Sequence, residues 1–171
     1  MKQTRQYIAI LSAAAAYYFV HEGAHLLCAL LLGTYKQLRF MGIGMQIDVY
    51  AERMTDGQMA LFCIAGPIAT LFVGAMLTAL AGNISRQRSK LLRAVMYYIT
   101  IALLLLDPLY LSILCGFFGG GDMNGISLLF PAWIARCVFA GLLIINGWVF
   151  WKRVLPVYKE SFSNEAEVET A

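Results

Sequence analysis

The chain contains an apolar segment that reads YFVHEGAHLLCALLL over residues 18–32, and this segment decides the fold. It continues an apolar run that begins near Tyr7, so the whole run is long enough to cross a bilayer as a helix. Residues four apart lie on the same face of a helix, so His21 and His25 present their imidazoles side by side. Polar groups are costly at this depth in a membrane, which makes His21, Glu22 and His25 candidate functional residues.

These three residues have the chemistry of a metal site with a base beside it. Two histidine nitrogens on one helix face can bind one metal ion, and the carboxylate of Glu22 can take a proton from a metal-bound water. The chain has only two histidines, and both lie in this motif. The simpler interpretation is a pair of hydrogen-bonded core histidines, but lipid offers no water to satisfy such groups. We therefore predict a metal site.

The composition predicts an integral membrane protein. Of the 171 residues, 60% are hydrophobic and 13% are charged, whereas soluble domains carry about twice that charged fraction. We predict an all-α membrane protein with one polytopic domain over residues 1–158 and a disordered polar tail over residues 159–171. The four cysteines show no paired spacing, which argues against a zinc knuckle or a disulfide framework.

Four segments are predicted to be transmembrane helices from their length and hydropathy. They cover residues 7–32, 58–81, 91–106 (or 91–114) and 126–150. With four spans, three clusters of basic residues fall on one side of the membrane: Lys2 and Arg5; Arg86, Arg88, Lys90 and Arg93; Lys152, Arg153 and Lys159. The positive-inside rule places that side, and with it both termini, in the cytoplasm. The net charge of +3 is small and unevenly distributed, so it predicts the orientation of the chain in the lipid bilayer. We expect no nucleic-acid partner.

The connection between the first two helices contains a predicted β-strand. Ile43, Met45, Ile47 and Val49 alternate with less apolar residues, which is the period of a strand. A short strand or hairpin beside a membrane helix is expected at the membrane interface, either outside the protein or dipping against it. Because an extended substrate could pair with such a strand, these four residues are candidate substrate-binding residues.

The third metal ligand has two candidates. A catalytic zinc site usually has three protein ligands and one open position, and the chain has no third histidine. Asp107 and Asp122 are both expected on the non-cytoplasmic side, which is also the side of the motif histidines. The glycines at 119–121 would let the backbone bring Asp122 into a crowded site. They favour Asp122, with Asp107 as the alternative.

The chain resembles the site-2 protease family of intramembrane zinc metalloproteases. The resemblance is carried by the motif at residues 21–25, by Gly66-Pro67 in the next span and by the glycine-flanked Asp122. It implies that zinc is bound by the two motif histidines and Asp122, and that Glu22 is the catalytic base. It also implies hydrolysis of peptide bonds in or near transmembrane segments of membrane-protein substrates. The residues on either side of Asp122 differ from those of the family, so the third ligand stays open.

A rival hypothesis is a non-catalytic membrane protein that binds a metal for a structural or sensing role. A closed coordination shell would mark such a site. Glu22 favours the enzyme, because a structural site does not need a carboxylate next to two ligands.

Overall fold

The computed structural model describes residues 2–41 and 44–170, and its architecture is mostly helical with one β-hairpin. This confirms the predicted helical class and the hairpin between the first two helices. The long elements are α1 (Lys2–Leu31), β1 (Tyr35–Met41), β2 (Gly44–Val49), α2 (Asp56–Ser85) and α3 (Lys90–Leu109). The remaining helices are α4 (Cys115–Phe118), α5 (Gly121–Ile126), α6 (Ala132–Val149) and α7 (Leu155–Thr170).

Three continuous helical stretches among the described residues are long and apolar enough to cross a membrane: Asp56–Ser85, Lys90–Phe118 and Ala132–Ser163. The second stretch joins α3 to α4 through a first π-helical turn (Tyr110–Leu114), and the third joins α6 to α7 through a second (Phe150–Val154). The fourth predicted span was expected to begin at Ile126, but the long helix begins at Ala132, because α5 ends at Ile126 and Pro131 caps the next helix. Helix α1 has sufficient length, at 30 residues, but its polar motif lowers its hydropathy, so it is not among the three.

The hairpin packs back against α1. Helix α1 ends in a turn in which Gly33 adopts a positive φ of 66°, a conformation that favours glycine. The two strands are antiparallel, with Leu38 opposite Ile47 and Phe40 opposite Met45. The backbone N–H of Ile47 points away from β1, towards α1. One edge of β2 is therefore paired, and the other faces the helix that carries the histidine motif.

Helix α2 runs without interruption through Gly66 and Pro67, so this pair does not break the helix. Its first turn is fixed by a capping box between Thr55 and Gln58. The buried side of α2 carries small residues, among them Gly66, Thr70 and Gly74. These residues let α1 and α3 approach closely.

The core lies where α1, β2, α2, the first π-helical turn and α5 meet. Its buried members include Ala29, Ile47, Phe62, Leu111 and Met123. Many large apolar side chains point outward instead, for example Leu11, Phe19, Phe72, Trp133 and Ile144. An outer surface this rich in apolar side chains is unusual for a protein in water, and it is compatible with a membrane protein.

Helix α7 extends over the segment for which a disordered tail was predicted, residues 159–171, as far as Thr170. Tyr158 and Phe162 are four residues apart and lie against Tyr97 of α3. The start of the polar segment therefore packs against an apolar side chain of α3. The composition of the segment alone does not predict this contact.

Candidate metal centre

The two motif histidines lie on the buried face of α1, as the four-residue spacing predicts. His21 is 8% exposed and His25 is 3% exposed, and their Nε2 atoms are 3.1 Å apart. Gly66 of α2 makes this arrangement possible. A Cβ atom at position 66 would lie 2.6 Å from Nε2 of His25 and 2.8 Å from Cε1 of His21, so any larger residue would displace both rings.

The third group at the site is Asp122, at the start of α5. One of its carboxylate oxygens is 3.2 Å from Nε2 of His21 and the other is 3.5 Å from Nε2 of His25. One ligand atom from each of the three residues lies within 4.8 Å of the others. Two imidazoles and a carboxylate converging in this way could hold a metal ion.

Asp107 lies on the opposite side of His21. Its Oδ1 is 3.2 Å from Nδ1 of His21, and the side chain is almost completely buried. Asp107 is therefore placed to orient His21 by accepting a hydrogen bond from Nδ1. Of the two predicted candidates for the third ligand, Asp122 lies at the Nε2 atoms of both histidines and Asp107 lies at Nδ1 of His21.

Both rings are oriented through their Nδ1 atoms. Nδ1 of His25 lies 2.7 Å from the backbone carbonyl oxygen of Phe62. Since a carbonyl only accepts, Nδ1 of His25 is the donor, and in the neutral ring Nε2 then keeps a lone pair. The Asp107 carboxylate selects the same tautomer of His21. Metal-binding histidines commonly have such a partner on the second nitrogen.

Two further residues complete the surroundings of Asp107, and the sequence analysis missed both. The hydroxyl groups of Tyr17 and Thr70 each donate a hydrogen bond to its carboxylate. Tyr17 precedes His21 by four residues, so its position on the same helix face was available as a signal. Thr70 belongs to the small-residue face of α2, and small residues on a membrane helix are usually explained by packing alone. The carbonyl of Phe62 has no signal in the sequence.

Glu22 lies beside the histidines and contacts the hairpin. Its Oε2 accepts a hydrogen bond of 3.0 Å from the backbone N–H of Ile47. Oε1 has no hydrogen-bond partner within residues 2–41 and 44–170. Strand β2 therefore fixes the carboxylate through one oxygen and leaves the other available.

An open cavity of about 260 Å³ adjoins these groups. It is lined by both histidines, Glu22, Asp122 and strand residues 44–47. No lysine or arginine of the described chain lines it. An acidic, partly buried site without a basic partner is well suited to a divalent cation.

The strand residues predicted to bind substrate are distributed around this cavity and a second one. Met45 and Ile47 line the first cavity. Ile47 and Val49 line the second, of about 570 Å³, which also includes Asp122. The side chain of Ile47 is buried in the core, so the part of Ile47 that reaches Glu22 is its backbone. Ile43 lies outside the described residues.

Comparisons of the chain with protein-family models, with curated proteins and with solved structures found no match.

Proposed function

We propose that this protein is an intramembrane zinc metalloprotease, similar to the site-2 proteases, that hydrolyses peptide bonds in or near transmembrane segments. The observation that supports it best is the convergence of His21, His25 and Asp122 next to Glu22 in one open cavity. These four residues belong to the motifs that, together with Gly66-Pro67, carry the resemblance to that family.

The metal would be held by Nε2 of His21, Nε2 of His25 and the carboxylate of Asp122. Two neutral imidazoles and one carboxylate are a usual ligand set for catalytic zinc. Zinc bound there supplies Lewis acidity, which polarises a carbonyl group and lowers the pKa of water. The adjoining cavity supports an open coordination position, as an enzyme requires.

Glu22 would act as the general base. Its Oε1 takes a proton from the water that attacks the scissile carbonyl, and it then passes this proton to the leaving amine. The hydrogen bond from Ile47 to Oε2 keeps the carboxylate in one orientation during both transfers. Fixing the base in this way removes an orientational cost from the reaction.

The substrate would bind in extended form along the edge of β2 that faces α1. A transmembrane helix hides its carbonyl groups in its own hydrogen bonds, so it must unwind before one of them can react. Pairing with a strand replaces the hydrogen bonds that unwinding removes. Both cavities follow β2, through residues 44–47 and 46–49, which supports this path beside Glu22.

We also propose that α1 crosses the membrane, which gives four spans with both termini in the cytoplasm. Although α1 is less apolar than the other long helices, the polar residues of its motif, His21, Glu22 and His25, face α2, α3 and the hairpin. Leu11, Phe19 and Leu31 of the same helix are exposed and can contact lipid. Reporter fusions at each terminus would test the topology, and a periplasmic or extracellular signal from either end would contradict it.

The rival function, a structural or sensing metal site without catalysis, is less well supported. Such a site is usually closed by four protein ligands. Here three candidate ligands adjoin a cavity, and an additional carboxylate is held beside them.

The test is a comparison of Glu22→Gln with the parent and with Glu52→Gln, which removes an exposed carboxylate after the hairpin. Each protein is reconstituted with a set of transmembrane reporter peptides in phosphatidylcholine–phosphatidylglycerol vesicles, and products are identified by mass spectrometry. We expect Glu22→Gln to keep its zinc and to lose cleavage by about 10²- to 10⁴-fold, while Glu52→Gln matches the parent. Undiminished cleavage by Glu22→Gln would rule out the mechanism. A parent that binds zinc but cleaves none of the peptides would favour the rival function.

A further inference from the structure

Asp122 reaches the site from a segment with little regular structure to hold it. Helix α5 has only six residues, and a glycine turn over residues 119–121 precedes it. Gly119 has a φ of 88° and Gly121 a φ of 41°, and both values lie in the region that favours glycine. Glycine leaves the backbone many alternative conformations, so this turn needs a specific contact to keep Asp122 in place.

The C-terminal part of α5 is fixed by packing. Met123 and Ile126 are buried in the core. Gly125 lies so close to α2 that a Cβ atom there would be 2.9 Å from Cβ of Cys63. These contacts anchor α5 behind Asp122, and the N–H of Met123 bonds to the carbonyl oxygen of Gly120 at 2.7 Å. The carbonyl of Gly119, at the start of the turn, is held from another element.

The contact in front of Asp122 comes from Tyr110. The Tyr110 hydroxyl donates a hydrogen bond of 2.7 Å to the carbonyl oxygen of Gly119. It also lies 2.9 Å from the position that a Cβ of residue 121 would occupy. The side chain lines the same cavity as Asp122 and the histidines. One hydroxyl group thus joins the glycine turn to the wall of the site.

Tyr110 is the first residue of the π-helical turn Tyr110–Leu114, which continues α3. Such turns are rare and are often found at functional sites. Three residues earlier, Asp107 orients His21 from the same helix. Residues three apart on a helix are neighbours on its surface. Helix α3 and its π-helical turn are therefore connected to two candidate metal ligands on different elements. Asp107 contacts His21, and Tyr110 contacts the glycine turn that precedes Asp122.

We propose that Tyr110 is a positioning residue that sets the place of Asp122 relative to the two histidines. The proposal rests on the proposed metal site. Loss of the hydroxyl frees the glycine turn, so Asp122 spends less time in the ligand position. The metal affinity then falls and the coordination of the metal changes, while the helices that carry the histidines stay in place.

The test measures metal binding and does not depend on a substrate. The parent, Tyr110→Phe and Ser112→Ala are purified in detergent and freed of metal with a chelator. Zinc affinity is measured by competition with a chromophoric chelator, and the absorption spectrum of the Co²⁺ form reports the coordination. Ser112→Ala is the matched control, because within residues 2–41 and 44–170 the Ser112 hydroxyl bonds only to carbonyls of its own helix, at Pro108 and Leu109.

We expect Tyr110→Phe to bind zinc about 10- to 100-fold more weakly, as when other groups that orient a ligand are removed, and to show an altered Co²⁺ spectrum. Ser112→Ala should match the parent in both. Gly121→Ala is a second variant that displaces the turn from Tyr110 while keeping the hydroxyl, and it should act in the same direction. Parent-like affinity and spectrum in Tyr110→Phe would overturn this inference alone. Failure of the parent itself to bind zinc or Co²⁺ would instead overturn the proposed metal site.

Discussion

The carboxylate of Glu22 and the backbone N–H of Ile47 are joined by a hydrogen bond of 3.0 Å. This bond connects the helix of the histidine motif to the strand of the hairpin. It uses the edge of β2 that is not paired with β1. A substrate that paired with other positions of this edge, leaving the Ile47 N–H to Glu22, would be brought next to the proposed base. The hairpin would then serve both to bind the substrate and to orient the base.

Removing the N–H of Ile47 tests that link. Proline has no backbone N–H. The N–H of Ile47 is not used in pairing with β1, and a strand tolerates proline at such an edge position. We expect Ile47→Pro to lower the rate of reporter cleavage while the zinc content stays at the parental level. Ile47→Val, which keeps the N–H, is the control. Unchanged cleavage by a folded Ile47→Pro protein would show that the bond does not orient the base.

Gly66 is predicted to be essential for the metal site. A methyl group at this position would lie 2.6 Å from Nε2 of His25, so Gly66→Ala has to displace the rings that carry the ligand atoms. We expect Gly66→Ala to lose zinc, measured by elemental mass spectrometry after purification. Gly82→Ala is the matched control on the same helix, because a Cβ at position 82 meets nothing within 4 Å. Equal zinc content in the two variants would contradict the observed packing of the rings on α2.

Asp107 is predicted to act on the metal through His21. Asp107→Asn weakens the acceptor that selects the tautomer of His21, and loss of such a partner typically lowers metal affinity about 10- to 100-fold. A direct ligand would differ, because its loss would abolish binding. Zinc titration of Asp107→Asn distinguishes these outcomes, with the exposed Asp56→Asn as the control. Complete loss of binding by Asp107→Asn, with Asp122→Asn unaffected, would reverse the roles assigned to the two aspartates.

Some of the site was predictable because it is local. The spacing of His21 and His25 fixes their common face, and the alternation from Ile43 to Val49 predicts the strand that the structure describes as β2. The contacts that orient the site are long-range. No local pattern shows that the Phe62 carbonyl meets His25, or that the N–H of Ile47 meets Glu22.

The choice between Asp107 and Asp122 also depended on tertiary structure. Both residues lie at a compatible depth, so hydropathy could not separate them. The structure separates them by position, since α3 passes on the Nδ1 side of His21, whereas α5 approaches its Nε2 side. Similarly, Tyr158 and Phe162 contact Tyr97 of α3, a long-range contact that the polar composition of the segment after residue 158 does not predict.

The central claim is tested most directly by the zinc content of the protein after purification in detergent. The parent is compared with His25→Ala and Asp122→Ala, each after exposure to zinc and removal of the excess. The arrangement of His21, His25 and Asp122 predicts about one zinc per chain in the parent and almost none in either variant. A well-folded parent that neither retains nor rebinds zinc, or an Asp122→Ala protein that binds it as tightly as the parent, would contradict the account.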